Sequence, residues 1–157
     1  MFIGLINRNL KAFFYWKTKI EKENEILKET ILILCMLFCH IVDDYYLQGW
    51  LASAKQKKWW EQNASNPLYK NDYIMALVEH AFSWTFMIHI PIIICSVICG
   101  LQLNILFFIT IFTMNWLIHT ITDNVKANLM KINLIQDQWI HIAQIFVTWT
   151  IYVVMSR

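Results

Sequence analysis

"ILILCMLFCHIVDDYYLQG" occupies residues 31–49. It opens as an apolar run and closes, with no linker, on His40, Asp43, Asp44 and Gln48. A segment apolar enough to enter a bilayer, yet ending in ionisable groups, frames the whole chain. Its 157 residues suffice for one domain. The hydrophobic fraction is 58% and the mean hydropathy +0.44, above the ~45–50% apolar content of soluble domains. Gly and Pro are scarce, which favours long helices. Aromatics reach 15%, with eight Trp, as expected for side chains anchored at membrane interfaces.

A bilayer core of ~30 Å takes roughly 20 apolar residues. Four segments meet that need, at about 26–48, 73–99, 101–125 and 134–156. The second carries Pro91, expected to kink or tilt it. The apolar run of the first starts near residue 31, and no small-residue cleavage site follows, so it reads as a span rather than a leader. Residues 1–25 place Phe2, Ile3, Ile6, Leu10, Phe13 and Phe14 at roughly helical spacing among Arg8, Lys11, Lys17 and Lys19. This predicts either an amphipathic helix on an anionic leaflet or one packed on the bundle's own loops. The expected fold is an all-α integral membrane protein. A four-helix transmembrane domain over 26–157 follows an interfacial segment over 1–25. A soluble helical bundle is the alternative.

The polar loop over 50–72, a short turn over 99–102 at Gly100 and the loop over 126–133 connect the spans. The tripeptide Asn63-Ala64-Ser65 matches a glycosylation sequon, a common chance match. A net charge of +2 with dispersed Lys and Arg argues against nucleic acid.

The other spans repeat the oddity of the first. "ALVEHAFS" (76–83) carries Glu79 and His80, "NWLIHTITDNVK" (115–126) carries His119, Asp123 and Lys126, and "IQDQWIH" (135–141) carries Asp137, Gln138 and His141. An ionisable group at the centre of a span costs ~2.5–3.5 kcal/mol on insertion scales, so each is a functional candidate. Because helices alternate direction, all four clusters fall at one membrane face. His40/Asp44, His119/Asp123 and Asp137/His141 are each four apart, on one helix face. Imidazole and carboxylate bind divalent Zn, Fe or Mn, and bundle cores build metal sites from such spaced residues.

The predicted ligands are His40, Asp44, His80, His119, Asp123, Asp137 and His141, for one or two ions. The alternative is a buried His–Asp hydrogen-bond network, which one pair alone would favour. Repetition at one depth favours metal. Asp43 and Glu79 are candidate general bases. Lys126, with Gln48 and Gln138, is the candidate holder of an anionic head group. His89, in "FMIHIP" (86–91), lies at another depth and reads as a packed polar residue. The cysteine pairs 35/39 and 95/99 read as helix-packing residues.

"HIVDDYYLQ", then "EH", "HTITDNVKA" and "DQWIH", in that order, resemble an uncharacterised bacterial and phage membrane family named domain of unknown function 3307. Its pattern is H-x-x-x-D-aromatic-x-L-Q, a mid-chain His, H-x-x-x-D-x-x-K and D-Q-x-x-H. The likeness covers about residues 30–145. It carries over His40, Asp44, Gln48, His80, His119, Asp123, Lys126, Asp137, Gln138 and His141. Asp43 and the charged N-terminal extension depart from the pattern. The family implies no activity; a looser similarity is to small inner-membrane metal-dependent hydrolases.

The expected function is metal-dependent hydrolysis of an amphiphilic phosphate or ester at one face of a bacterial inner membrane. The partners are the bilayer and that small amphiphile, with a homo-oligomer or a membrane protein as further possible partners. Alternatives are a metal-ion or proton transporter, and a small protein modulating a membrane complex through "KQKKWWEQ" (55–62) and the N-terminal helix. A conduit needs polar groups across the membrane, and the far half reads as apolar, with Gln102 and Asn104 at its edge. Lys and Arg nearly tie between the two sides. The basic loop beside the site tips it towards the cytoplasm.

Overall fold

A computed structural model describes the backbone of residues 2–99 and 104–155, and side chains from residue 14 onward apart from residue 99. The turn at Gly100 and Gln102 lie outside the described residues. The described chain is helical (88%) and contains no strand. Helix α1 runs Phe2–Ile41 and passes into a π-helical turn, Val42–Leu47. Two short helices, α2 (Leu51–Ala54) and α3 (Lys57–Asn63), and a 3₁₀ turn at Pro67–Tyr69 make the long loop. Helices α4 (Asp72–Cys99), α5 (Ile105–Ala127) and α6 (Leu134–Met155) follow.

Helices α4, α5 and α6 are long and apolar enough to cross a membrane. α1 is not among them, although the sequence reading placed a span at 26–48. Lys28 and Glu29 interrupt it, and the apolar part from Thr30 to Val42 rises only ~20 Å against the ~30 Å of a bilayer core. Nor does the helix break near residue 25. The amphipathic segment and the first apolar run form one 40-residue element. Its described side chains from Phe14 to Leu27 are exposed.

Local signals fix the other ends. Asn104 caps α5, its side chain accepting from the backbone N–H of Leu106 (3.0 Å) and Phe107 (3.2 Å). Hence α5 starts at residue 105 rather than 101. Asn133 and Gln136 form a reciprocal capping box before α6, at 2.9 and 3.0 Å. α4 continues through Pro91 as a single helix.

Helix α1 packs on α4 and α6, and α5 packs on the same two helices. Leu32, Ile33 and Met36 of α1, Trp84, Ile88 and Ile92 of α4, and Ile145 and Tyr152 of α6 form the core, with Phe107, Phe108 and Ile111 of α5 against it. Outward faces remain apolar: Phe82 and Phe86, Ile109 and Ile121, Phe146 and Val154 are exposed. Trp84, fully buried, separates this core from the polar end of the bundle.

Candidate metal centre

The polar end gathers the end of α1, the start of α4, the end of α5 and the start of α6. Helix α1 changes there from α to π winding, a local feature that recurs at functional sites. The wider turn directs two consecutive carboxylates inward: Asp43 is buried and Asp44 half-buried. From α4 comes His80, from α5 His119 and Asp123, from α6 Asp137 and His141. All five are buried.

Their donor atoms converge. His80 Nε2 lies 3.4 Å from Asp44 Oδ1, 3.3 Å from Asp123 Oδ2 and 3.3 Å from His119 Nε2. His141 Nε2 lies 3.4 Å from both Asp123 Oδ1 and Asp137 Oδ1. Two overlapping groups can hold an ion: Asp44, His80 and His119, and His119, Asp123 and His141. The spacings separate two kinds of contact. Charge-assisted hydrogen bonds run ~2.7–2.9 Å, and the ammonium contacts here are as short: Lys55 Nζ to Asp123 Oδ2 and Lys126 Nζ to Asp137 Oδ2 are both 2.6 Å. The imidazole contacts are longer. Two ligands on one tetrahedral ion, each ~2.0–2.2 Å from it, lie roughly 3.3–3.6 Å apart. The donor set therefore has the spacing of an ion's coordination edges.

Hydrogen bonds orient these rings. Trp84 donates its indole N–H to His40 Nδ1 (2.8 Å), which puts the His40 proton on Nε2, facing Gln138 Oε1 at 3.1 Å. The Gln138 amide then donates to Asp44 Oδ2 (2.8 Å) and Asp137 Oδ2 (3.2 Å). Both His40 nitrogens are thus engaged. The structure uses His40, which the sequence reading counted among the ligands, to fix two carboxylates through Gln138. His141 Nδ1 faces Gln144 Oε1 at 3.3 Å, leaving its Nε2 lone pair towards the carboxylates. His119 is held by stacking, 4.2 Å from the Trp84 ring and 4.1 Å from His141. Four buried atoms in the cluster lack a hydrogen-bond partner: Asp43 Oδ2, His119 Nδ1, Asp137 Oδ1 and His141 Nε2. Such orphans are costly unless something else satisfies them, and a cation suits both Asp137 Oδ1 and His141 Nε2.

The remaining sequence candidates divide. Asp43 sits behind His80: its Oδ1 accepts from Ser83 Oγ (2.6 Å) and its Oδ2 lies 4.0 Å from His80 Nδ1. That puts Asp43 on the Nδ1 side of His80, away from the atoms that converge on Nε2, held by Ser83 and with no hydrogen bond to the ring. Glu79 is exposed and lines a different cleft with Trp50 and Trp60. The helix turns it away from the neighbouring His80. Lys126 is paired with Asp137 rather than free for an anion. Gln48 donates to the Asp44 side chain at 3.0 Å and to its backbone carbonyl. His89 stays apart, its Nδ1 2.7 Å from the Thr85 carbonyl and its ring among Phe108, Phe112 and Tyr152.

Three participants escaped the sequence reading. Ser83 and Trp84 lie three and four residues after His80, a spacing that could have flagged them. Lys55 comes from the loop and gives no periodic signal. The loop is fastened to the end of α5 by Asn128, which accepts from the Lys57 N–H (2.7 Å) and donates to the Lys55 carbonyl (3.1 Å). No protein-family model, curated protein or solved structure matches this chain.

Proposed function

We propose that this chain is a four-helix integral membrane protein that binds a divalent ion, Zn, Fe or Mn, in its His/Asp centre and hydrolyses an amphiphilic phosphate or ester. One observation carries the reading. Buried imidazole and carboxylate atoms from four elements stand 3.3–3.4 Å apart, beside lysine pairs at 2.6 Å. A plain network of protonated histidines would draw those contacts to the shorter distance. Two overlapping ligand sets are available, Asp44 with His80 and His119, and His119 with Asp123 and His141, sharing His119. A divalent ion there supplies Lewis-acid chemistry. His141 Nε2 and Asp137 Oδ1, buried without hydrogen-bond partners, are atoms that such an ion would satisfy. Gln138 and Lys126 keep the Asp137 carboxylate in place.

The substrate class rests on access. A cleft of about 610 Å³ opens beside His40 and Gln138, walled by Leu37, Ile41, Tyr45 and Ile142. A second, of about 240 Å³, shares Tyr45, Gln138 and Ile142. An apolar chain lying there would bring its polar head to the Gln138 amide. The motif set that resembles domain of unknown function 3307 supplies most of the donor atoms, which fits a shared role in that family.

The test is metal analysis of the purified full chain, with His119→Ala beside His89→Ala. The first should lose bound metal and the second keep it. Equal metal in both leaves only a hydrogen-bonded network. Metal-loaded protein should also turn over a member of a broad panel of amphiphilic phosphates and esters. No turnover across that panel overturns the enzyme while leaving the metal site.

A further inference from the structure

Glu79, unused by the metal centre, belongs to a second constellation. Asp72, Met75, Ala76 and Glu79 recur at three- and four-residue spacing on one face of α4. With Trp50 and Trp60 they line a cleft of about 320 Å³, within the ~300–1,000 Å³ of small-molecule sites. The two indoles meet at 81°, with ring centroids 5.9 Å apart, so they form a corner. Trp60 is fixed by its N–H bond to the Ala54 carbonyl (2.7 Å) and by the stacked ring of Tyr69. Buried Ala76 gives the cleft a small-residue floor.

The carboxylates of Asp72 and Glu79 have no ion-pair partner among the described residues, although Lys55, Lys57 and Lys126 all find one. Glu79 is exposed, about two helical turns into α4, between exposed Met75 and Phe82. With Asp72 it gives the cleft an acidic wall beside the two indoles. Carboxylates call for a cation; tryptophan faces and a thioether call for one that carries carbon, attracted to the indole faces as well as to the charge. A bare metal ion would gain nothing from those walls.

We infer that this cleft binds an organic ammonium group, primary or quaternary, seated against Trp50 and Trp60 with Glu79 and Asp72 as its counter-charges. The group comes from a zwitterionic lipid headgroup or from a soluble amine. Tryptophans in this position would otherwise serve as an interfacial belt, which needs no carboxylates.

The full chain, in a maltoside detergent free of ammonium groups, is titrated with choline and with ethanolamine while tryptophan fluorescence is read. Sodium chloride at equal ionic strength is the reference. A saturable change should appear with the amines and not with sodium. Glu79→Gln and Trp50→Leu should each weaken it at least tenfold, while His119→Ala leaves it unchanged. Both altered side chains are exposed, so helix content and metal content should match the wild type. No saturable change, or one that survives Glu79→Gln and Trp50→Leu, overturns the site. Repeating the titration in phosphatidylglycerol discs with and without phosphatidylethanolamine identifies the source. Competition by phosphatidylethanolamine marks the headgroup as ligand, and an unshifted curve marks the soluble amine. Because the readout needs no metal and no hydrolysis, its failure is distinct from failure of the metal centre.

Discussion

Trp84 shows how single side chains set the centre. It is fully buried, stacks on His119 and donates to His40. Trp84→Phe keeps an aromatic face on His119 but leaves His40 Nδ1 without its donor. An unsatisfied buried polar group costs about 1–3 kcal/mol, so the variant should melt earlier. It should also bind metal more weakly, because the proton on His40 is no longer confined to the nitrogen facing Gln138. An unchanged midpoint and metal affinity would show that the indole N–H is dispensable. At this scale the sequence was informative about which residues meet. The i,i+4 pairs His119/Asp123 and Asp137/His141 do meet in one place. Spacing could not say which nitrogen of a ring is already occupied. That depended on a tryptophan and a glutamine from other helices, and so His40 reads as a ligand in the sequence and as a support in the structure. Glu79 differs for a simpler reason. It neighbours His80 in the chain, but successive residues point in different directions around a helix.

Helix ends and turns decide where these side chains point. The π turn at Val42–Leu47 brings both Asp43 and Asp44 towards the bundle and is followed by Gly49 at φ 49°. Its composition gives no warning, since nothing in "VDDYYL" distinguishes π from α winding. A second turn carries measurable strain. After α5, the N–H groups of Asn128 and Leu129 return to the Asn124 carbonyl and that of Lys131 to Val125. Met130 adopts φ 51° to allow this. The left-handed conformation costs a non-glycine residue about 1–2 kcal/mol. Met130 is also 76% exposed, so little contact is lost on removing it. Met130→Gly should therefore stabilise the protein by about 0.5–1 kcal/mol, after the extra backbone entropy of glycine is allowed for. Thermal unfolding of both forms measures it, and a lower midpoint for the glycine variant would contradict the assigned strain.

Across the whole molecule, charge limits what the centre can hold. Asp43, Asp44, Asp123 and Asp137 bring four carboxylates, and Lys55 and Lys126 two ammonium groups. Two negative charges remain, the complement of one divalent ion with neutral imidazoles. Saturating metal should thus give one ion per chain; two per chain would require the lysines to let go. The all-helical character was legible because long apolar runs and scarce Gly and Pro leave few alternatives to packed helices. α1 was not, because amphipathic and apolar stretches each form helix, and nothing in the sequence forces a break between them. The loop was legible only as polar, since Lys55 reaches Asp123 across 68 residues with no local pattern. That distance along the chain imposes an order of events. A growing chain emerges N-terminus first, so Asp43, Asp44, Lys55 and His80 are synthesised well before Asp123, and Asp137 and His141 come last. Until the final helix arrives, Lys126 lacks its carboxylate and the cluster lacks a wall. The cluster is therefore completed late in biogenesis, after the other helices have been laid down, and a chain halted before residue 134 would lack the carboxylate and imidazole that α6 supplies.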